Sequence, residues 1–310
     1  MFERILVPLD GSKEAEAVFR PLRQLFRRRD AEVILVEAID VLKLASLDTP
    51  ASILPGMESE AASYLDGVRT RLEGEGLRVR SQVVQGDPAR ALLQAAADER
   101  ATMIALATHG RSGFVRLMLG SVTEEVLRRS PVPVLAWRTP EGAPRPEGDG
   151  LKTILVPFDG SEESLAITPY AIETARLFGS AVAVVKVERA SPGKVDVGFV
   201  GHLMDGPADL DRRRDALDRD LLEAGNPFAE AGLRTTLFRV RGEPAEQIQR
   251  LARILPAGLI AMATHGRTGV SRLISGSVTE QVVRASDLPV LVLRSGVAAE
   301  VAGAWEGRTP

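Results

Sequence analysis

Cysteine is absent from the 310 residues, which excludes disulfide frameworks, thiolate catalysis and cysteine-based metal sites. No apolar stretch approaches the roughly 20 residues that a membrane-crossing helix needs. The opening Met1-Phe2-Glu3-Arg4 leads into a strand pattern with no long apolar signal region. A cytoplasmic location is the expectation. Positive charge is not in excess: the net charge is −3, which leaves no electrostatic footprint for nucleic acid or an anionic membrane. The dense basic run Arg27-Arg28-Arg29 reads as a solvated helix end whose cations suit the dipole. Three signatures of chemistry are also missing. There is no Gly-x-x-x-x-Gly-Lys-[Ser/Thr] loop, no Gly-x-Gly-x-x-Gly after a first strand and no Gly-x-Ser-x-Gly elbow. What remains, 45% hydrophobic and 26% charged residues, is the composition of a soluble globular protein, long enough for two domains with a core each.

What is present is a sentence said twice. Ala107-Thr108-His109-Gly110-Arg111 runs on to Gly120-Ser121-Val122-Thr123-Glu124, and Ala263-Thr264-His265-Gly266-Arg267 runs on to Gly276-Ser277-Val278-Thr279-Glu280. Of the 30 residues in 109–138, 18 recur at the matching places in 265–294. A core tolerates many apolar solutions and seldom fixes glycines at set intervals. A backbone that approaches a ligand needs them. The repeat therefore predicts a ligand loop in each of two copies of one domain.

Each half alternates continuous apolar, β-branched runs with helical patterns. The strands are predicted at 4–9, 32–38, 78–84, 102–107 and 132–137, then at 153–158, 181–187, 235–240, 259–263 and 289–293. Continuous rather than alternating hydrophobicity suits parallel strands covered on both faces. The helices are expected at 12–28, 57–74, 88–100 and 121–129, with counterparts at 161–178, 209–231, 244–255 and 277–285. Asp87-Pro88 and Glu243-Pro244 place proline at a first helical position, and Ser121 with Glu124, like Ser277 with Glu280, reads as a capping box. The fold class is α/β: two tandem doubly wound parallel five-stranded sheets. Domain 1 spans 1–138, a Pro- and Gly-rich linker 139–150, domain 2 151–296, and 297–310 forms a tail compatible with disorder. Asp10 and Asp159 are 149 positions apart, but Gly110 and Gly266 are 156 apart. The second copy thus carries about seven extra residues, expected within 188–211. That stretch and its counterpart 39–56 read equally as lids or as plain surface excursions.

In open α/β sheets the ligand crevice lies beyond the carboxyl ends of the strands, where strand order reverses. If the sheet starts in the middle, the first and fourth strands flank it. Val7-Pro8-Leu9-Asp10-Gly11-Ser12 then faces Ala107-Thr108-His109-Gly110, and Val156-Pro157-Phe158-Asp159-Gly160-Ser161 faces Ala263-Thr264-His265-Gly266. Gly120-Ser121 opens a helix whose free amides favour a phosphate. A carboxylate would repel phosphates, so Asp10 is placed at the ribose end; its alternative role is a turn and cap alone. His109 and His265 lack a neighbouring Asp/Glu/His cluster and are poor metal ligands; a loop-structuring role fits them better. Arg111 and Arg267 reach phosphates or are solvated.

On these motifs the chain resembles a tandem universal stress protein of the ATP-binding type, along nearly its whole length. That resemblance implies a Gly, two residues, a Gly, nine residues, then Gly-Ser or Gly-Thr. Gly110 with Gly120-Ser121 and Gly266 with Gly276-Ser277 match, while Ala107 and Ala263 replace the first glycine. Alanine fits there where φ is negative. The resemblance implies the strand order 3-2-1-4-5, and adenine against the backbones of Ala38 and Val187. It implies phosphate amides at Val122 and Val278, with Pro8 and Pro157 beside the two aspartates. The ligand implied is ATP, ADP or AMP, with Mg2+ as an optional companion. The function implied is that of a stress-response sensor or regulator, with weak ATPase activity and a partner-binding module with vestigial sites as the alternatives. The motif offers amides and hydroxyls but no evident base, so binding is expected over turnover. The resemblance also implies an intramolecular pseudo-dimer joined through the last strands, 132–137 and 289–293, and is compatible with a homodimer.

Overall fold

Runs such as Ile5-Leu6-Val7 and Val33-Ile34-Leu35-Val36 have every residue buried, whichever face it points to, so both faces of the strands must be covered. That condition selects parallel strands joined by helical crossovers. A computed structural model describes residues 2–26, 30–41, 51–108, 119–138, 151–189, 200–204, 219–264 and 278–294. The chain divides into two compact units, Met1–Ala143 and Pro144–Pro310.

In the first unit, β1 (Arg4–Leu9), β2 (Glu32–Ile39), β3 (Arg78–Gln85), β4 (Met103–Ala107) and β5 (Val134–Trp137) lie in the order β3-β2-β1-β4-β5. All neighbours are parallel. The helices are α1 (Lys13–Glu16), α2 (Phe19–Phe26), α3 (Leu54–Gly74), α4 (Pro88–Asp98) and α5 (Ser121–Arg129). α3 buries Ala61, Leu65, Val68 and Leu72, one stripe at helical spacing. It is followed by Gly76 at φ 86, a left-handed conformation that glycine adopts without Cβ strain. α4 opens on Asp87, whose side chain accepts from the Arg90 N–H, with Pro88 in the first turn.

The second unit repeats this with β6 (Thr153–Phe158), β7 (Ala181–Glu188), β9 (Thr235–Arg241), β10 (Leu259–Thr264) and β11 (Val290–Arg294), and with α6 (Thr168–Phe178), α7 (Arg219–Glu230), α8 (Pro244–Ile254) and α9 (Val278–Ala285). Its order is β11-β10-β6-β7-β9-β8. The sixth strand, β8 (Val200–Met204), pairs antiparallel with β9, Val200 opposite Arg239 and Met204 opposite Thr235. Five parallel strands were expected here, and the added one lies in the stretch where the extra residues belong. Within the candidate lid 188–211, residues 200–204 are thus an edge strand, while 190–199 and 205–211 lie outside the described residues; of the candidate lid 39–56, 42–50 lie outside them and 51–56 are helical.

Two expected helices are broken in the same place. The pattern over 12–28 predicts one helix, but α1 ends at Glu16 and α2 starts at Phe19. The cause is Pro21, which has no N–H to give the Ala17 carbonyl and whose ring crowds that oxygen. The chain tightens instead, with Ala17 N–H to Glu14, Val18 N–H to Ala15 and Arg20 N–H to Ala17. In the second copy Pro169 imposes the same break, and a 3-10 helix over Glu163–Ile167 precedes α6. The segments 27–29 and 209–218 of the predicted helices lie outside the described residues.

At the amino ends of the strands the copies have diverged. Arg4 contacts Glu32 at 3.2 Å and Glu99 at 3.1 Å, and Arg80 contacts Glu32 at 2.8 Å and Glu99 at 2.5 Å. The matching positions of the second unit are Thr153, Ala181, Thr236 and Leu255, which line a cavity of about 200 Å3. A closed network of four charges, three of them half-buried, outweighs isolated surface pairs. Glu99→Leu, which installs the second copy's residue in the first, is expected to cost about 1 kcal/mol, because Arg4 and Arg80 are left to share Glu32. Native-state hydrogen exchange should show faster opening of β1–β3 with β6 and β7 unchanged.

Candidate functional site

A crevice opens where two central strands part. β1 pairs with β4 only at Ile5–Met103 and Leu6–Ile104, whereas its ladder with β2 continues to Leu9–Glu37. β6 and β10 do the same, pairing only at Ile154–Leu259 and Leu155–Ile260. Beyond those pairs three residues of β1, β4 and β6 and four of β10 run on apart from the facing strand. Proline is a poor resident of a central strand because it cannot donate to a ladder. Pro8 and Pro157 lie in the stretch where one ladder has already ended, which is why they are tolerated.

The first wall is the Asp-Gly-Ser turn. Ser12 donates to Asp10 Oδ1 from its N–H at 3.0 Å and its hydroxyl at 2.5 Å, and Ser12 Oγ accepts from the Ala15 N–H at 3.1 Å. The second copy reproduces this: Ser161 donates to Asp159 Oδ1 at 3.0 and 2.6 Å, and Ser161 Oγ accepts from the Ser164 N–H at 3.2 Å. Gly11 and Gly160 have φ of 78° and 96°, a geometry that a Cβ would strain. The turn fixes each aspartate at the mouth of its crevice, Asp10 half-buried and Asp159 exposed.

The second wall begins at the ends of β4 and β10. Ala107 and Ala263 are half-buried strand residues, and Arg100 is the one described non-glycine residue with positive φ, so alanine carries no backbone strain at either place. The Thr108 N–H donates to the Trp137 carbonyl at 2.9 Å. When the described chain resumes, Gly120 is back beside Thr108: a Cβ built on it would lie 3.8 Å from the Thr108 carbonyl and 3.9 Å from Thr123 Oγ1. The two ends of the loop therefore adjoin. His109, Gly110, Arg111, His265, Gly266, Arg267, Gly276 and Ser277 lie outside the described residues.

The helix start departs from the expected capping box. The N-cap of α5 is Gly120, at φ −62° and ψ 144°, with no side-chain cap hydrogen bond. Ser121 is the first helical residue and is exposed. A box places the glutamate three residues after the cap; Glu124 is four after Gly120 and its N–H binds the Gly120 carbonyl. The uncapped start leaves the early amides, those of Ser121 and Val122 among them, to an outside partner. In the second copy Val278 is the first described residue of the corresponding helix.

Ala38 and Val187, both half-buried, sit near the carboxyl ends of β2 and β7, opposite Val84 and Val240. Around them is a set of charges that motif reading missed. In the first unit Tyr64 donates from its hydroxyl to Glu16 at 3.1 Å, and Arg71 donates to the same carboxylate at 2.5 Å. The Tyr64 hydroxyl is pushed well above its ordinary range by burial first, then by Glu16, with Glu37 and Asp10 adding to it. Those three carboxylates and the phenol share one neighbourhood. Among the described residues, no group of three His, Cys, Asp or Glu is placed to hold a metal ion. At the equivalent positions the second unit has Asp159, Leu165, Lys186 and Asp220, and Lys186 Nζ lies 3.3 Å from Asp220. The signal that finds these residues is the pair of constant offsets, 149 up to the second strand and 156 after it.

Tyr170, the other tyrosine of the chain, is also raised, by burial and then Glu173. For a phenol this sign means that the folded state holds its proton more tightly. The associated stability is complete below the unfolded value near 10 and is lost as pH rises through the folded value. An alkaline absorbance titration should therefore show less than half of the phenols ionised at pH 10 and a cooperative rise with unfolding above it. Tyr64→Phe should make stability less steep in pH over that range.

Comparison with known proteins agrees with the architecture and the motifs. The Universal stress protein family matches residues 1–138 and 150–294. A universal stress protein of Mycolicibacterium smegmatis is 25% identical over 297 residues, covering 94% of this chain and 96% of the relative. One of Methanocaldococcus jannaschii is 27% identical over 144 residues, covering 46% of this chain and 85% of its own length. The crystal structure of a universal stress protein from Archaeoglobus fulgidus superposes with a TM-score of 0.70 at 22% identity, covering 94% of this chain and 97% of that one. Two matched copies, a doubly wound sheet in each and the paired Asp-Gly-Ser turns all lead to one assignment: the chain belongs to the universal stress protein family.

Proposed function

We propose that each unit binds an adenine nucleotide in the crevice between its first and fourth strands, and that the protein acts as a nucleotide-dependent sensor or regulator. One observation carries the reading. Gly120 has negative φ and room for a Cβ, so neither its conformation nor its packing calls for glycine. A bare backbone at the start of a helix, with no side-chain cap, is what close approach by a phosphate requires.

In this reading the phosphates meet the amides of Gly120, Ser121 and Val122, and of Gly276, Ser277 and Val278, with His109-Gly110-Arg111 and His265-Gly266-Arg267 completing the loop. Asp10 and Asp159, pre-set by their serine turns, accept from the ribose hydroxyls. The backbones of Ala38 and Val187 meet the adenine. No side chain described around the crevice is poised as a base toward a phosphate, and binding without rapid turnover is the function that this set supports.

The test is direct. Protein purified without added nucleotide, then denatured, should release adenine nucleotide at one to two equivalents, identified by mass spectrometry. Gly120→Val with Gly276→Val should fold, because a Cβ at Gly120 meets only ordinary van der Waals contacts, and should bind ATP at least tenfold more weakly, with the ligand-induced rise in melting temperature removed. Absence of released nucleotide together with no response to added ATP would replace this reading with a partner-binding module.

A further inference from the structure

The first copy fills the space at the amino ends of its strands with charge, and the second copy leaves that space open. Arg4, Glu32, Arg80 and Glu99 are tied together in the first copy. Their counterparts Thr153, Ala181, Thr236 and Leu255 all line the cavity of about 200 Å3. Two residues further along the second strand, Ile34 is matched by Ala183, which lines it too. Thr153 is in register with Ala181, and Ala183 with Thr236, so these side chains share one face of the sheet. Phe238, on the same face two residues beyond Thr236, stands where the first copy has Gln82. Small side chains thus surround the space, and its bulkier walls are apolar. Packed interiors seldom keep a void of this size, and small-molecule sites are concave, mostly apolar and furnished with a few polar groups.

The charges have not been lost evenly. In the first copy Asp30 holds Arg78 at 3.2 Å, while Glu32 and Glu99 hold Arg4 and Arg80. In the second copy those three carboxylates are replaced by Gly179, Ala181 and Leu255. Of the three arginines one is kept: Arg234, the counterpart of Arg78, is exposed and lines the cavity. Among the described residues no hydrogen bond or ion pair engages its guanidinium.

We propose that this cavity is a second ligand site, confined to the second unit, which takes a small aliphatic carboxylate of about six carbons. The hydrocarbon lies against Ala181, Ala183, Phe238 and Leu255, and the head group meets Arg234 at the mouth. Volume sets the length: a dry cavity of about 150 Å3 accommodates benzene, so this one suits a body slightly larger. Charge sets the orientation. A carboxylate is costly to bury without a partner, and a guanidinium fork matches its two oxygens. The Thr153 and Thr236 hydroxyls supply further donors. Thr153 and Asp159 are six residues apart along β6 and its extension, about 20 Å. The site is therefore separate from the crevice, and it does not depend on what the crevice binds.

The experiment is isothermal titration of the full chain with hexanoate, with hexanol as the uncharged probe and acetate as the short one. Saturable hexanoate binding is expected in the millimolar range or tighter, with acetate at least about tenfold weaker because it buries little apolar surface. Arg234→Gln should weaken hexanoate about fivefold and leave hexanol unchanged. Ala183→Ile and Leu255→Glu each install the first copy's residue. The former should abolish binding of both probes by filling the space, and the latter should abolish hexanoate binding by placing a carboxylate beside Arg234. Circular dichroism identifies any variant that fails to fold, and the other then decides. Saturating ATP should leave hexanoate affinity unchanged. Absence of saturable hexanoate binding would overturn the inference. So would displacement of hexanoate by ATP, or affinities that ignore Arg234→Gln and the folded cavity variants.

Discussion

The early parting of β1 from β4 is the constraint from which the rest of the site follows. Two buried parallel strands that stayed paired to their ends would leave no space above them. Here only Ile5 and Leu6 remain in register with Met103 and Ile104, while the ladders on the outer sides hold. Reversal of strand order makes the gap possible, since the crossovers after β1 and β4 leave toward opposite sides. Everything chemically distinctive is then attached to the rim of that gap: a rigid turn on one side, a loop with adjoining ends on the other. A rim held by a double-sided core can keep its geometry without a ligand to shape it.

Duplication makes the chain its own control. What both copies retain, the Asp-Gly-Ser hydrogen bonds, the strand prolines and the proline-enforced helix break, is set by local geometry with few solutions. What they have let drift lies at the two ends of the sheet. At the amino ends a charge network in one copy faces a small apolar cavity in the other, and a fold held by burial of Ile, Leu and Val tolerates either. At the carboxyl ends the drift reaches the rim of the crevice, where Glu37 faces Leu9 in one copy and Lys186 faces Phe158 in the other.

Much of this was legible in the sequence. The strands were readable because buried parallel strands are apolar at every position, and the predicted bounds 4–9 and 153–158 coincide with β1 and β6. Domain repetition and the turn aspartates followed from motif spacing. The misses have physical causes. Pro21 and Pro169 sit in helical patterns that look continuous until the lost N–H is counted. Gly120 took the cap expected of Ser121, because a glycine in extended conformation ends the loop one residue earlier. β8 was hidden because Val200-Gly201-His202-Leu203-Met204 has neither alternation nor β-branched density, and its strand character comes from pairing with β9. The charges around Tyr64 and Lys186 come together from elements distant in sequence, and no local pattern announces them.

β8 also bears on how the molecule behaves in a crowded solution. A terminal strand offers unpaired amides and carbonyls to any other chain, and proteins blunt such edges with charge or cover them. β3 is blunted: Arg78 and Arg80 are exposed along it. β9 has buried Leu237 and Phe238 side by side and would make a far better template for a foreign strand. The antiparallel β8 occupies its open hydrogen-bonding positions from within the chain. Part of the added length in the second copy is thus spent on closing an apolar edge that β9 would otherwise present.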